Sequence, residues 1–577
     1  VPMSLQPDGY FEALVEGIAP GTRYFYRIDG QDYPDPASRY QPEGVTGPSE
    51  VVADDFAWTD SHWAGLPLEE YVFYELHVGA FTPEGTFEAI IPRLDELQAL
   101  GITAIELMPV AQFSGERNWG YDGVYTFAPQ NSYGGPQGLK RLINACHQRG
   151  MAVVLDVVYN HFGPEGNFNT KYADYCTEAY TSKWGACLNF DGPYCDHVRW
   201  HFIENARYWL LDYHVDALRL DATHAIMDSS ARPFLEELVG EVDLLRSQVH
   251  RKIYLIAENA KNDARIVRPQ QEGGCGFDAQ WNDDFHHALR TLLTQERTSY
   301  YEDYGGFSQV VKAFREGFVF SGQYSGHLRR TFGTSSRHLP SNRFVVFSQN
   351  HDHVGNRMRG ERPGHLLPFT AVKLMAATTI LSPYIPLLFM GEEYGETAPF
   401  LYFVSFSDDE LVKSIQDGRR KEFEGLMDGG EPPDPQAEST FLQSKLNREL
   451  QHRGRHRVLR DYYKHLLSLR RSVPALRHLS KDTMDVIEEP QSQTLIARRW
   501  YADSDCLCVF NFSDQPVSVP LPLGAWELVL DSEDARWQTD DVNGNHGRGE
   551  AVLVPTPADV ASVLVKPMSV LVLTGTR

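Results

Sequence analysis

Three acidic residues follow three separate apolar runs of this 577-residue chain. Asp221 ends one run, Glu258 ends the next, and Asp352 follows a third after a short polar stretch. Short runs of β-branched and aliphatic residues predict strands buried on both faces, as in a parallel sheet. A carboxylate just beyond such a strand is costly unless several strand ends open onto one cleft. Because an α/β barrel gathers its strand ends at one mouth, the pattern predicts an active site there.

The two acids on neighbouring predicted strands suit the cleavage of a glycosidic bond. That reaction needs a proton on the leaving oxygen and negative charge near the anomeric carbon, which two carboxyl groups with different pKa values can supply. Arg219 stands two positions before Asp221, so both side chains should face inward and the guanidinium should keep Asp221 ionised as a nucleophile. Burial and nearby carboxylates should raise the pKa of Glu258, which suits a general acid.

Further residues near these strand ends are expected to hold the sugar. Asp352 suits the binding of hydroxyl groups and the stabilisation of positive charge, and Asp156 is expected to anchor Arg219. His161 and His351 can donate hydrogen bonds to hydroxyl groups. Three aromatic side chains offer flat apolar faces for a pyranose ring: Trp119, Tyr121 and Trp281.

The order of the predicted elements indicates the α/β class. From about residue 71 to residue 390, apolar runs alternate with amphipathic segments, which is typical of a (β/α)8 TIM barrel. The eight predicted strands are 72–78, 103–108, 152–156, 217–221, 253–258, 277–281, 343–349 and 386–390. The clearest predicted helices are 87–100, 136–149, 196–213 and 369–381. Large loops are expected after the second, third and eighth strands.

A chain of this length exceeds what one hydrophobic core usually serves, so further domains are expected beside the barrel. Alternating residues and frequent Gly and Pro predict an N-terminal β-sandwich over residues 1–55. The catalytic barrel with its loop insertions is predicted over 56–480. Residues 481–577 lose the helical period and predict a C-terminal antiparallel β domain.

Composition restricts the partners of this chain. Lys and Arg number 53 against 78 Asp and Glu, and the formal net charge of −25 argues against binding to nucleic acid or an anionic membrane. No apolar stretch reaches the length of a membrane span. Seven cysteines without a C-x-x-C pair make a disulfide framework unexpected, although Cys176, Cys187 and Cys195 are near enough for a local bridge. Since no secretory signal is recognisable, a cytoplasmic location is expected.

Four segments, in order and each at the end of a predicted strand, resemble the signature blocks of the α-amylase family of glycoside hydrolases. These segments are 156–161, 216–221, 257–259 and 350–352. The resemblance implies Asp221 as nucleophile, Glu258 as acid/base and Asp352 as the residue that stabilises the transition state. It also implies that the α configuration is retained through a covalent glycosyl-enzyme.

Other segments are similar to the branch of this family that holds isoamylases, branching enzymes and trehalohydrolases. They are 118–121, 391–400, 403–406, 418–423, 433–435 and 440–441. The likeness is greatest to the trehalose-releasing members, and it implies hydrolysis of the α-1,4 bond next to a terminal trehalose unit of an α-glucan oligosaccharide. The sequence after the eighth strand, through Tyr402, is then expected to shape the part of the cleft that accepts trehalose.

Two alternatives remain open at this stage. An isoamylase-type debranching enzyme or a glucan branching enzyme would use the same scaffold, because specificity resides in the loops. A non-catalytic glucan-binding protein is disfavoured, since all three carboxylates are present. Asn160 stands where calcium-dependent relatives place a metal ligand, but no acidic cluster surrounds it, so no metal or other cofactor is predicted. A monomer or weak dimer is expected.

Overall fold

Eight parallel strands close into a barrel at the centre of the protein. The computed structural model describes residues 1–7, 9–183, 185–424, 430–539, 553–554 and 562–577. In chain order the barrel strands are β1 (Phe73–Leu76), β2 (Ala104–Leu107), β3 (Ala152–Val157), β4 (Ala217–Leu220), β5 (Tyr254–Ala257), β6 (Ala279–Trp281), β7 (Phe344–Phe347) and β8 (Ile385–Phe389). Each lies within or next to a predicted run, and the predicted (β/α)8 barrel is confirmed.

The side chains of each barrel strand alternate between the barrel interior and the surrounding helices. Phe73, Ala104, Val154 and Ala217 belong to the apolar cluster that fills the interior, whereas their chain neighbours pack outward. Two residues further along each of these strands, towards its carboxyl end, the side chain that faces the interior is ionisable. These side chains are Glu75, Glu106, Asp156 and Arg219, all buried. The barrel therefore has an apolar floor and a charged mouth.

The helices that cover the barrel follow seven of the eight strands. They are Leu94–Leu100 after β1, Gly135–His147 after β2, Cys195–Leu211 after β3, Phe234–Arg246 after β4, Asp283–Thr294 and Phe307–Glu316 after β6, Phe369–Ile380 after β7 and Gly454–Ser472 after β8. Residues 258–278, all described, contain only the 3-10 turn Gln270–Glu272. The connection from β5 to β6 thus differs from the regular alternation that the sequence predicts. Across the described ranges, no helix is long and apolar enough to cross a membrane.

Large loops follow the strands that the sequence indicates. The loop after β3 holds the hairpin Cys176–Ser182 with Gly185–Leu188, and the loop after β8 holds the helices Asp409–Glu422 and Glu438–Gln443. The local bridge considered for three cysteines does not form, because all seven cysteines are free thiols.

The C-terminal region is an antiparallel β domain, as predicted. Its larger sheet joins, in spatial order, Met484–Glu489, Thr494–Tyr501, Ser504–Asn511, Ser569–Thr576 and Trp526–Asp531. A smaller sheet joins Val517–Pro520, Ser562–Val565 and Leu553–Val554. An apolar cluster with Ile496, Val509 and Val563 packs between the two sheets. Residues 540–552 and 555–561 of this predicted domain lie outside the described residues.

The N-terminal region differs from the predicted β-sandwich. Its described strands form three separate antiparallel pairs: Ser4–Leu5 with Phe11–Glu12, Arg23–Tyr24 with Ser49–Glu50, and Tyr26–Ile28 with Gln31–Tyr33. The alternation of apolar and polar residues predicted a sandwich, but strands of two or three residues with largely exposed side chains do not enclose a core between two sheets. The domain limits 1–55, 56–480 and 481–577 stay predictions.

A buried arginine of the C-terminal domain, Arg499, joins that domain to the barrel. Arg499 donates to the carbonyl oxygens of Leu381 and Ser382 through Nη1, at 3.0 and 3.1 Å, and to those of Leu476 and His478 through Nη2, at 3.0 and 2.9 Å. Its side chain is about 1% exposed. Arg470 binds the same turn from the neighbouring helix. The cations thus occupy the carboxyl end of helix Phe369–Ile380, where backbone carbonyls lack helical donors.

Replacing Arg499 by Met should destabilise the protein by about 2–4 kcal/mol, because the carbonyls of Leu381, Leu476 and His478 lose the arginine donor and that of Ser382 retains only Arg470. Thermal unfolding measures the change. Arg536→Met is the control: the side chains of this arginine of the same domain and of its partner Asp534 are both about half-exposed, so its loss should cost less than about 1 kcal/mol. Equal losses in the two variants would contradict this account of the interface.

Candidate active site

The three predicted carboxylates lie at the carboxyl ends of the barrel strands. Asp221 directly follows β4 and Glu258 directly follows β5, and the pairing of Leu220 with Ala257 makes them neighbours in register. Asp352 lies in the short helix His351–Gly355 after β7. The side chains of Asp221, Glu258 and Asp352 are 12%, 13% and 42% exposed, so all three remain open to solvent at the mouth.

Arg219 is the central cation of the site. Its Nη1 donates to both carboxylate oxygens of Asp156, at 2.9 Å each, and to Oδ1 of Asp221 at 2.8 Å. Its Nη2 lies 3.9 Å from Oε2 of Glu258. The guanidinium lies over the ring of Trp281, 4.2 Å from the centroid, and the side chain is inaccessible to solvent. Because an arginine keeps its charge in proteins, this contact places a positive charge directly beside the carboxyl group of Asp221.

Glu258 has the raised pKa expected of a general acid. Burial is the main cause; Asp221, Asp283 and Asp352 add to it and Arg219 opposes it, and together they raise the pKa of Glu258 to about 8. Its Oε2 accepts the backbone N–H of Ala222 at 2.5 Å. That N–H points at the acid because Ala222 adopts a left-handed conformation, with φ of 40°.

The predicted polar residues surround this centre. Tyr121 donates its hydroxyl to Oδ2 of Asp156 at 2.6 Å and lies 2.8 Å from Nε2 of His351. His161 is buried, and its Nδ1 contacts the side-chain oxygen of Asn160. Asn160 in turn donates to the Oδ2 of Asp221 at 2.7 Å. This asparagine therefore holds the predicted nucleophile, and the described residues contain no group of three or more metal-ligating side chains.

The two tryptophans differ from the sequence expectation of free faces for a sugar ring. Trp119 is about 4% exposed; its ring stacks on Phe400, with centroids 5.3 Å apart, and its indole N–H donates to a backbone carbonyl. Trp281 is about 2% exposed beneath Arg219. Neighbouring side chains cover the rings of both tryptophans, because the two residues lie below the rim of the barrel. Tyr402 stands nearer the surface against Trp119, with ring centroids 5.2 Å apart.

The structure adds residues that the sequence analysis missed. Glu75, inside β1, accepts hydrogen bonds from His351. Asp283 lies just after β6, and its negative charge raises the pKa of Glu258. Its Oδ1 lies 3.2 Å from Nε2 of His353. A sequence signal existed only for Glu75, which interrupts an apolar strand at an inward-facing position.

Comparison with known proteins identifies the family to which this chain belongs. The model for the alpha amylase catalytic domain matches residues 33–185, and a domain of unknown function, DUF3459, matches residues 489–560. The malto-oligosyltrehalose trehalohydrolase of Saccharolobus solfataricus is 47% identical over 81% of each chain. That of Rhizobium sp. strain M-11 is 41% identical over 92% of this chain and 89% of its own.

The chain belongs to the malto-oligosyltrehalose trehalohydrolase family of glycoside hydrolases. A crystal structure of a Salmonella typhimurium protein given the name alpha amylase agrees with this, since it is 38% identical and superposes with a TM-score of 0.88 over 99% of this chain and 94% of that chain. The named relatives show that this chain is a glycoside hydrolase and that its substrate is an α-glucan oligosaccharide.

Asp283→Asn should move the alkaline limb of kcat/KM to lower pH. The acid must be protonated to act, so activity persists below the pKa of Glu258, about 8, and is lost above it. Removing the negative charge of Asp283 lowers that pKa. Asp243→Asn, on the outer helix Phe234–Arg246, removes an equal charge far from the mouth and should leave the profile unchanged. A pH profile that is the same in all three proteins would contradict this role for Asp283.

Proposed function

We propose that this protein hydrolyses the α-1,4 bond next to the terminal trehalose unit of malto-oligosyltrehalose, with release of trehalose and a maltooligosaccharide. The observation that carries the proposal is the arrangement of Asp221 and Glu258 around one buried guanidinium. The relatives that carry the trehalohydrolase name match this chain over most of their length, which supports the same substrate. A cytoplasmic location and a monomeric or weakly dimeric state are part of the proposal.

In the first step, protonated Glu258 donates its proton to the glycosidic oxygen while the carboxylate of Asp221 attacks the anomeric carbon. The bond to the leaving oxygen breaks, trehalose departs, and the glycosyl chain is held as an ester of Asp221. Positive charge that develops at the anomeric centre is stabilised by the carboxylate of Asp352. Arg219 holds the carboxylate of Asp221 in position until the bond forms.

In the second step, the carboxylate of Glu258 takes a proton from water, whose oxygen attacks the anomeric carbon. The ester bond to Asp221 breaks, so the nucleophile is regenerated and Glu258 regains its proton. Two displacements at one carbon retain the α configuration. Among the predicted binding residues, we propose direct sugar contacts for Tyr121, His161 and Tyr402, which leaves supporting roles for Asp156, Trp119, Trp281 and His351.

The substrate is tested by incubating the protein separately with malto-oligosyltrehalose and with amylopectin. Free trehalose from the first, without shortening or rebranching of the second, is the expected result. New linear chains from amylopectin would instead support debranching, and new α-1,6 links would support branching. No change in either substrate would favour a glucan-binding protein without catalysis.

Asp221→Ala should reduce kcat by about 10⁴-fold or more, since the covalent intermediate cannot form. Substrate binding should persist, because the sugar contacts proposed above lie on other side chains. Calorimetric titration with malto-oligosyltrehalose and single-turnover kinetics measure the two quantities. A variant that retains more than about 1% of wild-type turnover would overturn the nucleophile assignment.

A further inference from the structure

Glu75 is a buried carboxylate at the barrel mouth that the mechanism above does not use. It lies on β1 and is about 1% exposed, as is His351. Its Oε2 accepts the backbone N–H of His351 at 3.0 Å, and its Oε1 contacts Nδ1 of the same imidazole. Glu75 therefore holds both the backbone and the ring of the residue that precedes Asp352.

The contacts around His351 suit a proton on each ring nitrogen. Tyr121 has one hydroxyl proton, and it is donated to Asp156, whose oxygens also accept from Arg219. At 2.8 Å from that hydroxyl, Nε2 must then be the donor. Nδ1 faces Oε1 of Glu75, and a carboxylate oxygen accepts hydrogen bonds. With an acceptor against each ring nitrogen, the contacts of His351 suit an imidazolium.

The charges around the ring agree with this assignment. Burial lowers the pKa of His351, but Asp352 and Glu75 outweigh it and raise the value to about 9, with Arg219 opposing. The other ionisable groups that face the ring are Asp156 and Glu106 from β3 and β2, Tyr121 from the loop after β2, and His77 after β1. Of the residues that bond to the ring, only Glu75 places its charge against Nδ1.

We propose that Glu75 is a positioning residue that keeps His351 doubly protonated and so orients Asp352 and Tyr121 at the reacting sugar. The imidazolium Nε2 lies 3.5 Å from Oδ2 of Asp352 and donates to Tyr121. Through Tyr121 and Asp156 the same set of bonds reaches Arg219 and hence the nucleophile. Glu75 itself is enclosed and does not touch the substrate, so it acts only through His351.

Glu75→Gln keeps the size of the side chain but removes its charge. Without that charge, His351 should lose its second proton at a lower pH, so the alkaline limb of kcat/KM should move to lower pH and the deficit in activity should grow as the pH rises. Above about pH 8, kcat should fall by about 10-fold or more relative to wild type, with a smaller change in KM. Towards acid pH the deficit should shrink, because His351 is protonated again. A purely structural role would lower activity by the same factor at every pH, and that result would overturn the proposal.

Glu106→Gln is the matched control. Glu106, on β2, pairs in register with Glu75 and is equally buried, yet its carboxyl oxygens have no hydrogen-bond partner among the described residues. Burial, Glu75 and Asp156 raise the pKa of Glu106 well above its usual range, so the amide replaces a neutral acid. Activity and the pH profile should stay within about twofold of wild type. An equal effect in both variants would overturn a specific role for Glu75.

A direct measurement keeps the inference testable even if Glu75→Gln fails to fold. Nitrogen-15 NMR of histidine-labelled wild-type protein, with the His351 signal identified by its loss in His351→Asn, should show both ring nitrogens protonated at about pH 7.5. A neutral imidazole there would overturn the proposal. The kinetic measurements on the Glu75 and Glu106 variants depend on the proposed function, whereas the NMR measurement needs no substrate. Absence of trehalose release by the wild type would therefore count against the function and leave the histidine result standing.

Discussion

The arrangement of this active site depends on one buried cation. Arg219 has no access to solvent, and a guanidinium in that position is tolerated only with anionic partners in good geometry. Asp156 and Asp221 supply the charges, and Trp281 supplies a ring face below. The proposed nucleophile, Asp221, is therefore held by the same contact that makes the buried arginine tolerable.

That contact also explains how two carboxyl groups on adjacent strands acquire different roles. Asp221 has a direct bond to the guanidinium at 2.8 Å, whereas Oε2 of Glu258 remains 3.9 Å from it. The mouth holds more carboxylates than cations, so the acid without a direct cationic partner keeps its proton most easily. The proposed nucleophile and the proposed acid thus differ by about one ångström in their distance from the guanidinium, and two carboxyl groups in different environments are common in glycosidases.

The barrel and the loops contribute different parts of the function. Closure of the sheet sets β3, β4 and β5 side by side and so determines the charged centre. The rim belongs to the long loops after β2, β3 and β8, which carry Tyr121, His161 and Tyr402. Related glucan-acting enzymes with the same barrel differ in such loops, which is why the relatives and not the carboxylates indicate the trehalose-bearing substrate.

The fold and the charged centre could be predicted from the sequence because their signals are local. Apolar runs ending in acids marked the strands, and the spacing of Arg219 and Asp221 placed both on one face of β4, as the structure confirms. The absence of a helix in residues 258–278 and the separation of the described N-terminal strands into three isolated pairs left no comparable signal. Whether an alternating segment finds partners depends on distant parts of the chain.

The remaining parts of the site were decided by tertiary structure alone. Trp119 and Trp281 have the right type and location for sugar contacts, but packing encloses both. Glu75 and His351 are separated by 276 residues, and only closure of the barrel between β8 and β1 brings them together. The sequence by itself determined which groups could ionise and along which strands they lie. Their contacts, and hence their protonation states, follow from burial and through-space charge, which no local pattern encodes.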